Sequence, residues 1–399
     1  MRGIAKTQKI MQSPPNAKII ILLSENIRKG LRIMRILISG GGTGGHVSPA
    51  IAIANYLREK NKNIQIAFAG TEKGLESKVV PQEGYKIYYL KVRGFKRKFS
   101  LSNIDSAIKA VTSQIAAKKI IKDYKPDVVI GTGGYVSWPV LSVAAKMKIP
   151  TVIHEQNAFP GVTTKMLSKV VDKVMISFDE SRKYFKDKNK LIYTGNPVRR
   201  EFFNIDCKQA KKELSPGKFM ILSVGGSMGA EKINEAAIDL MDRFSKNESI
   251  THYHVTGSRG YKEYNKLFRN KGLCTYNNLF LSEYLYDIYK YYAAADLIIC
   301  RSGALTLTEL AVIQKPAILI PSPYVTENHQ YKNAEVLEKQ NAAVIIEEKD
   351  LTAESLEKKI RELMADPFKL SNISRNISKF ASNDTLDKIY KLVTGLKKQ

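Results

Sequence analysis

Gly40-Gly41-Gly42-Thr43-Gly44-Gly45-His46 lies between a short apolar run, Ile36-Leu37-Ile38, and a stretch from Val47 to Ala54 that reads as a helix. A strand that turns through glycines into a helix presents N–H groups at the positive end of the helix dipole, which accepts phosphate. With no Cβ in the way, a ligand can also approach the main chain closely. His46 would occupy the first helical turn. There it either packs at the turn or stands as a general base beside a pyrophosphate. Gly40, Gly42 and Gly45 formally fit G-x-G-x-x-G, a weak sign of a dinucleotide fold when taken alone. A nicotinamide site wants a carboxylate at the end of the next strand. The run 64–71 offers none before Glu72, which disfavours a dehydrogenase.

Outward from this loop, strand-length apolar runs alternate with helical patterns, the sign of a parallel α/β sheet covered on both faces. Strands are expected at 35–39, 64–69, 86–92, 127–131, 151–154, 173–177 and 191–194. The series then restarts at 218–224, running into Gly225-Gly226-Ser227-Met228-Gly229-Ala230, with further strands at 251–256, 278–281, 297–300, 317–320 and 343–346. Gly195-Asn196-Pro197 separates the two series. The expectation is two Rossmann-like, doubly wound parallel-sheet domains facing across a cleft. In such sheets ligands bind at the carboxyl ends of the strands. Every glycine loop falls at such an end: 40–45, 131–134, 225–229 and Ser302-Gly303.

The 399 residues exceed one ordinary core, and 44% hydrophobic with 26% charged content is that of a soluble globular chain. Cys207, Cys274 and Cys300 are scattered and odd in number, suggesting neither disulfides nor a metal site. Residues 1–33 lack a signal-peptide core and are expected to be a disordered extension before Met34, or an upstream start that is not used. Net charge is +26, of which +6 falls on 1–33, +15 on 34–198 and +5 on 199–399. The excess on the first half favours an anionic partner, nucleic acid or an anionic membrane surface. A basic, aromatic stretch from Val92 to Phe99 precedes a helix with apolar Leu101, Ile104, Ile108, Val111 and Ile115, opened by a Ser102/Asp105 capping pair. That helix reads either as core or as a face resting on anionic lipid. No nucleic-acid recognition motif accompanies the charge, and Trp138 is the single tryptophan.

The most specific cluster runs from Ala295 to Leu310: a strand, the Arg301-Ser302-Gly303 turn, then a helix whose first N–H groups would meet a diphosphate. Glu309, within two turns, could accept both hydroxyls of a ribose, since a carboxylate has two oxygens for a vicinal diol.

Together these stretches resemble the family of bacterial peptidoglycan N-acetylglucosaminyltransferases that convert lipid I to lipid II. The resemblance runs from Met34 nearly to the end. It rests on Gly40–His46, Gly131-Thr132-Gly133-Gly134-Tyr135, His154-Glu155-Gln156-Asn157, Gly195-Asn196-Pro197-Val198-Arg199, Gly225-Gly226-Ser227, Arg301–Glu309 and His329-Gln330-Tyr331-Lys332-Asn333-Ala334.

The resemblance implies a GT-B glycosyltransferase with an acceptor and membrane-facing domain at 34–196 and a UDP-sugar domain at 197–375. Residues 376–399 would end in a helix returning to the first domain. It implies inverting transfer of GlcNAc from UDP-GlcNAc to the 4-hydroxyl of an undecaprenyl-linked MurNAc-pentapeptide, at the cytoplasmic face of the cell membrane, without an obligatory metal or other cofactor. By match of motif, Ser227 and the turn Ala304, Leu305, Thr306, Leu307, Thr308 and Glu309 would hold the donor's diphosphate and ribose. Leu285 would offer main chain to uracil, Arg199 would lie at the nucleotide, and Asn157 with Gln330 would hold the sugar. Many relatives have tandem glutamines where this chain has His329-Gln330.

Residues 42–45 and 131–134 would cradle the acceptor's pyrophosphate, with Gly42, Gly133, Gly134 and Tyr135 as acceptor contacts and Thr43, Gly44 and Gly45 also reaching the donor. Charge growing on the leaving diphosphate would be met by helix-start N–H groups. Inversion needs a base opposite the leaving group, and His46 is the candidate, with Glu155 as a weaker alternative. Competing readings are a diacylglycerol glucosyltransferase, a UDP-GlcNAc 2-epimerase, or a basic nucleic-acid-binding protein.

Overall fold

The computed structural model of the chain describes residues 33–91, 102–226 and 228–396; of residues 102–111 and Thr326 only the backbone is described. The expectations placed on residues 1–32, on the basic aromatic stretch 92–99, on the Ser102/Asp105 side chains and on Ser227 lie outside the described residues.

The first half runs β1 (Met34–Gly40), α1 (Gly44–Lys60), β2 (Ile64–Gly70), α2 (Glu76–Gln82), β3 (Lys86–Tyr89) and α3 (Ser102–Tyr124). It continues β4 (Val128–Gly133), α4 (Ser137–Lys146), β5 (Thr151–Glu155), α5 (Val162–Leu167), β6 (Lys173–Ile176) and β7 (Leu191–Tyr193). The second half follows as α6 (Glu201–Asn204), α7 (Cys207–Leu214), β8 (Phe219–Val224), α8 (Glu231–Phe244), β9 (Ile250–Val255) and α9 (Tyr261–Asn270). Then come β10 (Leu279–Ser282), α10 (Ile288–Ala294), β11 (Leu297–Cys300), α11 (Ala304–Ile313), β12 (Ala317–Leu319) and α12 (His329–Lys339). Last are β13 (Val344–Ile345), α13 (Ala353–Met364), α14 (Pro367–Ser378) and α15 (Thr385–Gly395).

All thirteen expected strands are present, their ends shifted by at most three residues; the largest shift is at β3, which stops at Tyr89. Both sheets are parallel, in the orders β3-β2-β1-β4-β5-β6-β7 and β10-β9-β8-β11-β12-β13. The expected α/β class and the two doubly wound sheets are therefore what the chain forms. Strands covered by helices on both faces carry unbroken apolar runs rather than alternation. Ile36, Leu37 and Ile38 are accordingly all fully buried, as are Val128, Val129 and Ile130. Each sheet reverses its winding between its first and fourth strands, and ligands collect at such a switch point. In the first sheet the register slips at Ser39/Gly40 so that Gly40 faces Gly133. The slip brings the two glycine turns side by side. In the second sheet Cys300 pairs with Val224, placing the turns at 225 and 301 together.

Ile115, expected on the apolar face of α3, is 64% exposed; Ala117, Ile120 and Ile121 supply the buried contacts instead. The last helix crosses back. Ile389 and Val393 of α15 are buried in the cluster of Ile36, Ile53 and Leu57, and Asp387 accepts from the Tyr56 hydroxyl. Among the described residues no helix is long and apolar enough to cross a membrane.

Candidate active site

At the carboxyl end of β1, Thr43 caps α1 in extended conformation, and the His46 and Val47 N–H groups already donate to Thr43 O. The N–H groups at 43–45 precede the first intrahelical bond and stay available. Gly42 does not share that freedom. Its N–H donates to Glu76 Oε2 at 3.0 Å, so the acceptor contact expected of Gly42 is not an N–H donation in this arrangement. Glu76, buried at 1% exposure, also accepts from Thr71 N at 3.0 Å and Thr71 Oγ1 at 2.7 Å. A Cβ at Gly41, Gly70 or Gly74 would fall within 2.6 Å of its side chain, so three glycines make room for one carboxylate. Sequence reasoning missed Glu76. Its only trace there is the spacing of those glycines around it.

The second glycine turn packs onto the first. Gly134 has φ +78°, and a Cβ there would sit 2.3 Å from Gly41 O. A Cβ at Gly133 would sit 2.7 Å from His46 Nδ1. The Tyr135 ring lies against Gly42, and Thr132 Oγ1 donates to His46 O at 2.7 Å.

These contacts define the imidazole. His46 Nδ1 lies 2.9 Å from Thr132 O and 3.3 Å from Gln156 Oε1. Both neighbours are acceptors, so Nδ1 carries the proton and Nε2 keeps the lone pair. Gln156 is held in turn, its amide nitrogen donating to Thr132 O at 2.9 Å and to His154 Nδ1 at 3.0 Å. His154 Nε2 donates to Gly195 O. Burial lowers the His46 pKa below 6.5, while the Glu155 carboxylate, Gln156 and Thr132 draw it upward. The ring is thus neutral and basic at neutral pH. In the sequence Gln156 is only one residue of a motif; its place as the partner that orients His46 is visible only in space.

Glu155, the weaker alternative base, is committed elsewhere. One oxygen accepts from Asn157 N and Nδ2 at 3.0 and 3.1 Å, and the other accepts from Gly161 N at 3.0 Å.

In the second half, Gly303 caps α11 in extended conformation and Leu307 N donates to Gly303 O, leaving the N–H groups of Ala304, Leu305 and Thr306 at the helix start. Leu307 and Thr308 turn inward: Leu307 is core, and Thr308 Oγ1 accepts from Asn196 Nδ2 at 3.2 Å. Both side chains of this turn are buried. Burial pushes the Glu309 carboxyl up to about 7, against the pull of the Arg199 guanidinium nearby. Arg199 is exposed, with its guanidinium 5.3 Å from the centre of the Phe202 ring. Leu285 packs on the second-half core, half-buried, between exposed Tyr284 and Tyr286.

Across the cleft, Asn333 joins the halves: its Oδ1 accepts from Ala158 N at 2.9 Å and its Nδ2 donates to Asn157 Oδ1 at 3.1 Å. Gln330 Oε1 accepts from Ser322 N, and its main-chain O accepts from Ser302 Oγ. Asn157, Gln330 and the start of α11 are thereby gathered around one point. Among the described residues no group of three or more His, Cys, Asp or Glu side chains is set to hold a metal ion.

Comparison with known proteins gives a family for both halves. Residues 36–176 match the glycosyltransferase family 28 N-terminal domain, and residues 220–389 the family 28 C-terminal domain. A protein of Acetivibrio thermocellus named UDP-N-acetylglucosamine--N-acetylmuramyl-(pentapeptide) pyrophosphoryl-undecaprenol N-acetylglucosamine transferase is 46% identical over 367 residues, 92% of this chain and 99% of its own length. One of the same name from Thermoanaerobacter sp. is 47% identical over 365 residues, 91% and 100% of the two chains. Among solved structures, Acinetobacter baumannii MurG superposes with a TM-score of 0.73 at 28% identity, covering 91% of this chain and 99% of that one. A Neisseria meningitidis UDP-GlcNAc 2-epimerase bound to UDP-GlcNAc gives 0.63 at 15% identity, covering 91% and 100%, a likeness of fold alone.

Proposed function

The chain belongs to glycosyltransferase family 28, among the transferases that pass N-acetylglucosamine to N-acetylmuramyl-(pentapeptide) pyrophosphoryl-undecaprenol, and from that premise we propose how its residues divide the work. It is an N-acetylglucosaminyltransferase that takes the sugar from UDP-GlcNAc to lipid I and yields lipid II for peptidoglycan. The relatives' name favours this over a diacylglycerol glucosyltransferase, and the epimerase shares only the fold.

We infer that His46 is the base that takes the proton from the acceptor's 4-hydroxyl. The observation carrying this role is the tautomer: Thr132 O and Gln156 Oε1 hold the proton on Nδ1, so Nε2 is the basic atom. The N–H groups of residues 43–45, with the turn at 133–134, face the acceptor's pyrophosphate. On the donor side, the N–H groups of Ala304, Leu305 and Thr306 meet the diphosphate as it leaves, so its growing charge is balanced by fixed dipoles rather than by a metal. Glu309 takes the ribose, Leu285 offers main chain to uracil, Arg199 stands at the nucleotide, and Asn157 with Gln330 holds the sugar.

The test is incubation with labelled UDP-GlcNAc and a lipid I analogue. A labelled disaccharide lipid is the expected product. Labelled UDP-ManNAc without any lipid, or transfer from UDP-glucose to diacylglycerol, would overturn the reading.

The position of Glu309 sets a pH dependence. A protonated carboxyl cannot accept from both ribose hydroxyls, so binding needs the ionised form. With the carboxyl titrating at about 7, affinity for UDP is expected to rise roughly tenfold between pH 6 and pH 8. Calorimetric titration at several pH values checks this, and Glu309→Gln should flatten the profile.

The first-half charge of +15 supports peripheral attachment to the cytoplasmic leaflet, worth roughly 1 kcal/mol per basic residue near the surface. Co-sedimentation with anionic vesicles is expected to fall sharply as salt rises. Equal binding to neutral vesicles would argue against attachment by charge.

A further inference from the structure

The base stands on the first half and the leaving diphosphate on the second, so an in-line transfer needs the two halves held in register. One buried amide spans them where the chain passes from one half to the other. Asn196, 1% exposed, donates from Nδ2 to Gln156 O at 3.0 Å and to Thr308 Oγ1 at 3.2 Å. Its Oδ1 accepts from Ser177 Oγ at 2.8 Å. Both N–H groups and the oxygen are engaged, which fixes the orientation of the amide. Each Nδ2 partner leads to one side of the reaction. Gln156 carries the side chain that meets His46 Nδ1. Thr308 Oγ1 in turn donates to Ala304 O at 2.9 Å, at the start of α11. The linker reaches Gln156 a second time. Gly195 O accepts from His154 Nε2 at 3.0 Å, and His154 Nδ1 accepts from the Gln156 amide at 3.0 Å. Gly195 is packed against the returning helix: it lies at φ +81°, and a Cβ there would fall 2.7 Å from Thr385 Oγ1. Residues 195 and 196 therefore hold Gln156 by main chain and side chain together.

We propose that Asn196 is a positioning residue for the transfer, holding the His46 imidazole in register with the N–H groups that receive the leaving diphosphate. It acts on the imidazole through Gln156 and on the diphosphate site through Thr308. This rests on the assignment made above of His46 as the base and of the α11 start as the diphosphate site. Asn157, next in the chain to Gln156, is held separately by Glu155 and Asn333. Loss of the Asn196 bridge should therefore loosen the base while the sugar contact of Asn157 stays in place.

The experiment combines steady-state kinetics on a lipid I analogue with titration of UDP, using full-length wild type, Asn196→Ala, Thr308→Val, Thr308→Ser, Gln156→Leu and the Thr308→Val/Gln156→Leu pair. Thr308→Val nearly keeps the side chain's shape and removes its hydroxyl. It should lower kcat about three- to tenfold while UDP affinity stays within about threefold of wild type. Thr308→Ser, which keeps the hydroxyl, should recover most of that loss. Asn196→Ala breaks both arms of the bridge and should lower kcat about ten- to hundredfold. In the Gln156→Leu background, Thr308→Val should cost less than about twofold, because the path to the imidazole is already cut. Losses that multiply in the double variant overturn the bridge, as does an unchanged kcat in Thr308→Val. So does a fall in UDP affinity as large as the fall in kcat, which would confine Thr308 to the donor turn. Should Asn196→Ala fail to fold, the Thr308 and Gln156 variants decide the matter by themselves. Turnover of His46→Ala close to wild type would instead remove the base itself, a separate failure read on a separate variant.

Discussion

Replacing His46 by alanine should lower kcat by roughly 10²–10⁴, the usual contribution of a positioned base, while UDP-GlcNAc still binds the second half with near wild-type affinity. Steady-state kinetics alongside a direct titration of UDP separates the two effects. The imidazole must be neutral to act. Burial holds its pKa below the ordinary 6.5, so kcat at saturating UDP-GlcNAc should be flat through neutrality and fall only as pH drops through that lowered value. Gln156→Leu removes one of the two acceptors that keep the proton on Nδ1 and leaves Thr132 O without its partner amide. It should lose less than His46→Ala but move the acid limb of the profile, which a purely structural loss would not do. Turnover of His46→Ala within a few-fold of wild type would remove His46 from the role of base.

Glu76→Ala should have the second largest effect, and on the acceptor side alone. It leaves Gly42 N, Thr71 N and the Thr71 hydroxyl without their shared acceptor in a buried place. Each unpartnered group costs about 1–3 kcal/mol, and after partial relaxation toward water a net loss of roughly 3 kcal/mol is expected. The loop that presents the N–H groups of 43–45 and seats His46 would lose its anchor, so kcat/KM for the acceptor should fall at least about tenfold. Glu76→Gln keeps the shape and one accepting oxygen but turns an N–H₂ toward other donors, so it should fall between the two. UDP affinity should be unaffected in both, since α11 lies in the other half. Calorimetry, acceptor kinetics and UDP titration check the three statements. A variant that lost UDP affinity in parallel would show general unfolding instead of a displaced loop.

The strands were readable because parallel strands buried on both faces need long apolar runs, and Ile36-Leu37-Ile38 or Val128-Val129-Ile130 have no other use. The glycine turns were readable because strand, glycine and helix must follow in that order at a phosphate-binding end. The spatial partners were not. Glu76 looks like an ordinary first-turn helix carboxylate, and only the burial forced by Gly41, Gly70 and Gly74 around it shows otherwise. Gln156 stands just past the end of β5, two residues from His154, yet its importance comes from Thr132 and His46, 24 and 110 positions away. Asn333 and Asn196 are likewise polar residues in unremarkable local settings, yet each reaches the opposite half, Asn333 to Ala158 and Asn157 and Asn196 to Thr308. Leu307 and Thr308 fell within a motif whose earlier residues face the cleft. Helical rotation carries Leu307 into the core and Thr308 against Asn196 of the first half, which the motif's contiguity conceals.

The returning helix α15 has a consequence for biosynthesis. Ile389 and Val393 fill a gap between α1 and the first sheet, so translation must pass the whole second half before the first can close its apolar surface. While the ribosome is still building residues 197–384, Ile53 and Leu57 lack their final covering. Closure of that part of the first core therefore depends on residues made after the whole second half.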